Sequence, residues 1–421
     1  MSIIFGILIG LLVLMFLVVM HELGHFWAAR RNGVEVEEFG VGFLPRAIAW
    51  RKKDGKWRKL KRGEWEQPTG KGLIISLNWL PIGGFCKMKG ESNADVRKGS
   101  FGRASMWGKT KILFGGVVAN WAVAAVVLTI LAWTGMPHFV EGQFVVEGDV
   151  RVEARPVVIA GVMEGSPAER AGLEAGDEIV MMGMWCSSDG RSPIWKDCAD
   201  KVVVREASDV TEFNERHSFG DMKMREIAIE YMRGGRYEST WVQLNEAGSE
   251  YLLGVTMSQE GTPLYRSTWS APVVGVGTMV QLTGETFKGL GELVWNLVSG
   301  VVMQVNFDEN VRGEGAANIG KVGESVSGPV GIVGMVFPAF AESGVTNLAF
   351  LAAIISISLA CMNVLPIPAL DGGRWMLIAI YKLRKKKLTS EVEERVVGRA
   401  FMVLIGLIVI ITVLDVMRIA R

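Results

Sequence analysis

Five consecutive residues, His21-Glu22-Leu23-Gly24-His25, bring together the side chains of this chain best suited to joint chemistry. On a helix, two histidines four residues apart project from one face, one turn apart, so their neutral imidazoles can share one Zn²⁺. Glu22 then falls about 100° round the helix, within reach of a water on that ion. Zinc brings such a water to a pKa of about 7, so a carboxylate can take its proton and pass it to a leaving amine. A HExxH string also arises by accident in long chains. Only four histidines occur in these 421 residues, however, and two of them stand here. They close a stretch, Ser2 to Met20, that carries no charge, and that position at a membrane edge favours the metal.

The elements that must hold such a centre follow from composition and charge. The chain is 49% hydrophobic and 21% charged, with mean hydropathy +0.28. That is too apolar for an ordinary soluble protein and too charged to lie wholly in lipid, so membrane spans and at least one soluble domain are expected. Ser2–Met20 can cross about 30 Å of hydrocarbon. It lacks the basic start and small-residue cleavage site of a signal peptide and reads as a retained first span, within 1–29. From Arg30 to Lys111 there are 19 Lys/Arg against 8 Asp/Glu, which puts residues 30–111 in the cytoplasm and the N-terminus outside. Within them Phe39–Phe43 and Leu73–Phe85 read as short, glycine-punctuated strands joined by basic turns near Asp54-Gly55. Two readings stay open: a hairpin sheet dipping into the membrane beside the first span, or a small cytosolic β domain.

A second span is expected over 112–136, with Gly115, Gly116, Ala119 and Ala122 spaced for close helix contact and Asn120 as a polar group at membrane depth, either interhelical glue or part of the site. From Met136 to Thr346 the balance reverses to 16 Lys/Arg against 30 Asp/Glu, the mark of an extracytoplasmic segment, 137–270, followed by 271–346. In the latter, Met279–Val301 carries Leu282, Leu290 and Leu297 on one helical face and Gln281, Glu285 and Lys288 on the other, an amphipathic helix lying on the membrane. The glycine-rich 313–334 reads as a loop. Cys186 and Cys198 lie in one insertion of the outer domain, where a disulfide is chemically allowed though spacing alone does not fix the pairing. Cys86 and Cys361 are expected to be free thiols.

The third span, 347–373, ends in Asn363-Val-Leu-Pro-Ile-Pro-Ala-Leu-Asp-Gly-Gly373, whose prolines and glycines break the helix and leave Asp371 at the break. An ionisable residue there is a functional candidate. A basic cytoplasmic loop (374–399) and a fourth span (400–421) complete a frame in which the first and third spans both run inward. His21, His25 and Asp371 therefore reach one depth, three ligands with a fourth position left for water. Glu35, Glu37 and Glu38 are nearer in sequence but read as solvated charges.

HExxH in the first span, Gly-Gly-x-x-Ala-Asn in the second, Ser327-Gly-Pro-Val-Gly331 and the Leu370-Asp-Gly-Gly373 segment together resemble the site-2 protease family, in the order of its bacterial regulator-of-sigma-E protease branch. Val157–Val180, a strand, short helix and strand punctuated by Ser166-Pro167, Gly172 and Gly176-Asp177, resembles a circularly permuted PDZ domain, with a core near 150–260 and Leu253-Gly254-Val255 as its carboxylate-binding loop. The resemblance implies a polytopic α-helical membrane protein of four transmembrane helices, a membrane-associated β-hairpin sheet and an inserted extracytoplasmic PDZ (α+β) domain, in a bacterial inner membrane. It implies one Zn²⁺ per chain on His21, His25 and Asp371, with Glu22 as general base. It further implies substrate or transition-state contacts from Asn363, the hairpin residues Gly83, Gly84 and Phe85, and Asn120, in whose motif Val117 replaces the usual proline. Partners would be single-pass membrane proteins, the lipid bilayer, and peptide or protein termini at the PDZ domain. A non-catalytic adaptor would not need all four of His21, Glu22, His25 and Asp371, and a metal transporter would show internal repeats that this chain lacks. No basic cluster in a nucleic-acid-binding pattern occurs, so no nucleic-acid partner is expected.

Overall fold

The structure, a computed structural model, describes residues 3–53, 55–61, 72–140, 142–153, 156–184, 186–188, 193–218, 225–249, 251–259, 264–304, 308, 312–318, 320 and 328–419. The chain forms two compact units, Met1–Leu131 with Ala271–Arg421, and Ala132–Ser270.

The first unit is built on α1 (Ile3–Arg31), a single helix that carries the apolar stretch straight through His21 and His25 to a basic last turn. Among the described residues, four helical segments are long and apolar enough to cross a membrane, at Ile4–Arg31, Gly115–Thr134, Val345–Val364 and Ser390–Val413. They make the protein integral to a membrane.

Three strands follow α1: β1 (Val36–Lys53), β2 (Lys56–Lys59) and β3 (Ile74–Met88), in the order β2-β1-β3. Both long strands fold back on themselves. Phe39 faces both Cys86 and Ile75, and Gly40 faces both Phe85 and Ser76, so the first half of β1 lies between the two halves of β3. Gly42 and Gly83, at φ +78° and +77°, allow the bends. The strands are longer than the glycine punctuation predicts because the glycines turn a strand here without ending it. Phe43, Leu44, Trp79 and Leu80 remain exposed around the bends. At the other end Glu38 is buried, accepting hydrogen bonds from Arg46 Nε (2.8 Å) and Ser76 Oγ (2.7 Å). It is thus an internal ion pair, contrary to its sequence reading as a solvated charge.

The second span is interrupted where its sequence suggested one element: α2 (Met106–Leu113) stops at Phe114 and α3 (Gly115–Thr134) begins anew. Ser105 caps α2 by accepting from Gly108 N–H. α1 and α3 meet at glycines, since a Cβ on Gly24 would stand 2.2 Å from the Gly115 carbonyl oxygen.

The second unit starts with β4 (Met136–Pro137) and β5 (Arg151–Glu153), then β6 (Val157–Val162), α4 (Pro167–Arg170), β7 (Glu178–Met184), β8 (Ser187–Ser188), β9 (Pro193–Ile194), β10 (Asp200–Val203), α5 (Ala207–Arg216), β11 (Glu226–Arg233), β12 (Arg236–Gln243), β13 (Val255–Gln259) and β14 (Leu264–Arg266). Its main sheet runs β12-β11-β7-β6-β13 with β10 added to β7, while β4, β14 and β5 form a smaller one. Ile159, Ile179, Met182, Val210, Phe213, Ile227 and Ile229 form its core. Asp177 is buried at the β7 turn, where Arg233 donates to it through Nε (2.6 Å) and Nη2 (2.7 Å). Cys186 and Cys198 are joined by a disulfide over Gly183, where any side chain would strike both sulfurs.

The chain returns to the first unit through α6 (Ala271–Gln304), longer at both ends than Met279–Val301, with Leu282 buried and Val294, Leu297 and Val301 exposed. The expected glycine-rich loop is largely helical where described: α7 (312–318), then α8 (Pro329–Gly331), a π-helical turn (Ile332–Val336) and α9 (Phe337–Glu342). Ser327 lies outside the described residues. Glycine content misleads here because Phe337 and Pro338 pack into notches that Gly6 and Gly10 leave on α1, and buried backbone among apolar residues must bond to itself.

α10 (Val345–Val364), α11 (Asp371–Leu383) and α12 (Ser390–Ile419) end the chain. Residues 374–399 are therefore mostly helix, not loop. α11 is amphipathic and buries Ile378, Trp375 Nε1 donates to Thr110 Oγ1 at 2.7 Å, and Arg374 Nε pairs with Glu393 at 3.2 Å.

Candidate metal centre

His21 and His25 stand on one face of α1, 8% and 7% exposed, with their rings edge to face at 4.7 Å. Asp371 comes from a part of the chain 346 residues away from His25. α10 ends at Val364, the chain extends past Pro366 and Pro368, and Asp371 opens α11. Gly372 and Gly373 let this turn close: a Cβ on either would lie 2.1 or 2.0 Å from the carbonyl oxygen of Val364 or Ile367. A carboxylate at a helix start is also favoured by the helix dipole.

Three donor atoms converge. His21 Nε2 lies 3.1 Å from His25 Nε2 and 3.2 Å from Asp371 Oδ2, and His25 Nε2 lies 3.3 Å from that same oxygen. One face of a tetrahedron with zinc–ligand bonds of about 2.0–2.1 Å has edges of about 3.3 Å. The triangle therefore fits zinc in size and in donor type. Among the described residues this is the one His/Cys/Asp/Glu group close enough to hold an ion.

The outer nitrogens have partners of their own. His25 Nδ1 is 2.8 Å from the Ile112 carbonyl oxygen, near the interruption between α2 and α3. His21 Nδ1 is 3.3 Å from the Asn120 amide. Gly116, one turn earlier on α3, gives the His21 ring its space, since a Cβ there would fall 2.5 Å from the ring. Asn120 is fully buried and its backbone carbonyl accepts from Ser356 Oγ at 2.9 Å, which ties α3 to α10.

Glu22 accepts a hydrogen bond from the backbone amide of Cys86 on β3, and Gly84 brings that strand against the Glu22 side chain. Met88 N–H, two residues on, donates to Glu91 Oε1 at 2.9 Å. Amides 86 and 88 thus point away from β1, and the alternation of a strand directs Gly84 N–H the same way. Phe85 lies over Gly40 and stacks on Phe43 at 6.5 Å. Asn363 is half-buried in the last turn of α10, where its Nδ2 donates to Leu359 O at 2.9 Å.

The sequence thus names the three converging side chains and Glu22 but not the Ile112 carbonyl or the Cys86 amide. Both are backbone atoms, and no residue type announces them. Gly116 was legible only as a small residue at a helix contact; its role is to make room for the His21 ring.

Two buried histidines on an apolar helix and a partly buried carboxylate form this triangle, with Glu22 beside the first of them, an arrangement suited to a metallohydrolase of the membrane. The model of peptidase family M50 matches residues 9–60 and 68–407, and the chain belongs to that family, the site-2 protease family; it is a metalloprotease. It is 27% identical over 419 residues to a Clostridium perfringens protein provisionally named a zinc metalloprotease, covering 97% of this chain and 98% of that one. It is 26% identical to a similarly named protein of Agrobacterium fabrum, covering 96% and 93%, and 24% identical to metalloprotease MmpA of Caulobacter vibrioides, covering 92% and 90%.

Proposed function

We propose that this protein is an intramembrane endopeptidase that cuts single-pass membrane proteins within their transmembrane segments. The observation that carries this reading is the His21–His25–Asp371 triangle, sized for zinc, with its histidines in a helix long enough to span a bilayer. His21, His25 and Asp371 would hold one zinc ion, which when bound polarises the scissile carbonyl and acidifies the attacking water.

The remaining work falls to the chain itself. Glu22 is the base: it takes the proton of the attacking water and returns it to the leaving nitrogen. The Cys86 amide holds its carboxylate beside β3. A peptide bond in a transmembrane helix is shielded by its own hydrogen bonds, so the substrate must unwind locally before it is cut. Gly83, Gly84 and Phe85 form the free edge that takes the unwound segment as an added strand, because the amides of Cys86 and Met88 are already committed while that of Gly84 faces outward. Asn363 assists substrate or the developing oxyanion through the second N–H of the amide that Leu359 O already holds.

The second unit is a PDZ domain whose groove lies along β13, the edge strand, beside α5. Leu253-Gly254-Val255 is its carboxylate loop, supported by Gly254 at φ +79° and by the Leu253 and Gly254 carbonyls, which accept from Ala168 and Met163. It selects substrates by their termini or by the bulk of their outer domains. The family resemblance supports a bacterial inner membrane, and the charge distribution supports placing this domain and both termini outside it.

The test compares purified wild type with Glu22→Gln on a single-pass substrate lacking most of its outer domain, with zinc assayed in both. Cleavage by wild type alone, with zinc in both, is the expected result, the variant losing at least about 100-fold in rate. No zinc in the wild type would overturn the reading.

A further inference from the structure

The two imidazoles of the triangle are not held alike. A nitrogen that ligates a metal presents its lone pair, so the ring's proton must sit on the other nitrogen. His25 obeys this through the Ile112 carbonyl, a pure acceptor 2.8 Å from Nδ1, which fixes Nδ1–H and leaves Nε2 free. His21 faces a side chain instead: the amide nitrogen of Asn120, 3.3 Å from Nδ1. In that orientation the amide would donate to Nδ1 and force the proton onto Nε2, into the middle of the triangle.

A second observation points the other way. Asn120 is 0% exposed, and its carboxamide oxygen has no hydrogen-bond partner. An orphaned buried acceptor costs about 1–3 kcal/mol. The two ends of a carboxamide have the same shape, and a half-turn about its last torsion exchanges them. That one rotation gives the oxygen a donor and gives His21 Nδ1–H an acceptor, and it carries the amide nitrogen to the place the oxygen held. The surroundings hold the amide near the ring, since the Asn120 backbone is tied to Ser356 and Gly116, one turn earlier, makes room for His21 beside it.

We propose that Asn120 is a positioning residue for His21: its carboxamide oxygen accepts the His21 Nδ1–H and thereby turns the Nε2 lone pair toward His25 and Asp371. This rests on the zinc reading above. It differs from the two sequence expectations for Asn120, glue between helices or a contact to substrate, in assigning the carboxamide oxygen one partner, His21 Nδ1–H.

Aspartate separates these roles, because Asn120→Asp keeps the acceptor and removes the donor, whereas Asn120→Leu removes both at similar volume. The full-length chains are purified, their helicity is compared by circular dichroism, and zinc affinity is measured by competition with a chromophoric chelator. Asn120→Leu is expected to bind zinc about 10–100-fold more weakly than wild type, and Asn120→Asp within about 3-fold of it. Wild-type affinity in Asn120→Leu, or a loss in Asn120→Asp as large as in Asn120→Leu, would overturn the proposal. If Asn120→Leu loses helicity, Asn120→Asp decides alone: retained affinity supports the acceptor role and lost affinity refutes it. Zinc binding by wild type in the same titration keeps failure of the metal site distinct from failure of this assignment.

Discussion

At the scale of the residue, the centre depends as much on missing atoms as on present ones. Gly24 lets α1 approach α3, and Gly116 lets His21 occupy the resulting space. Gly116→Ala is therefore expected to push the His21 ring out of the triangle and weaken zinc binding at least about 10-fold with helicity unchanged, as dialysis against a chelator followed by metal analysis would report. Asp371→Asn keeps the size of the side chain but removes a charge from the ligand set; a loss of bound zinc together with cleavage is expected, in contrast to Glu22→Gln, which loses cleavage and keeps the metal. Of these residues, His21, Glu22, His25 and Asp371 were legible from type and spacing. The partners of their far sides were not, because a backbone carbonyl or amide becomes a ligand's support only once two distant segments meet.

At the scale of the element, the doubled-back sheet joins α1 to its surroundings. Its stability at the basic end rests on Glu38, buried with Arg46 and Ser76. Burial alone would raise the Glu38 carboxyl, but the hydrogen bonds from Arg46 and Ser76 outweigh it and hold the group below the usual carboxylate range. Arg46→Met leaves that charge buried with one partner fewer, and a loss of about 2–3 kcal/mol is expected, read as a lower thermal midpoint in detergent. Adding Glu38→Gln to that variant should recover part of the loss, because a neutral amide is less costly to bury unpaired. The strands' glycines read in sequence as ends; in the fold they are bends, since the chain continues pairing on both sides of them.

At the scale of the whole molecule, His21, Glu22, His25 and Asp371 belong to one unit, and residues Ala132–Ser270 form another with its own core. That segment expressed alone is expected to unfold cooperatively in urea. Its stability should depend on Asp177. Burial works to raise this carboxyl, yet the two bonds from Arg233 prevail and hold it below its ordinary value. A carboxyl lowered on folding stabilises above its unfolded pKa, about 3.9, and that contribution disappears as pH falls through the folded value. The urea midpoint is thus expected to fall between pH 5 and pH 3, and Arg233→Met should flatten that fall. An unchanged pH dependence in Arg233→Met would remove the ion pair from the account.

What the sequence determined by itself was whatever composition and short spacing encode. Apolar runs of sufficient length mark the spans, histidines one helical turn apart mark a candidate metal face, and a carboxylate at a proline-broken helix end marks the group that joins them. The tertiary structure decided the rest: helix where glycine content suggested loop, a buried ion pair where charge density suggested solvent, and the atoms behind each ligand. The physical reason is one of range. Periodicity and turn chemistry act over a few residues and can be read along the chain, whereas the acceptor behind His25 lies 87 residues away and the amide behind His21 lies 99 away, so they become neighbours only through packing.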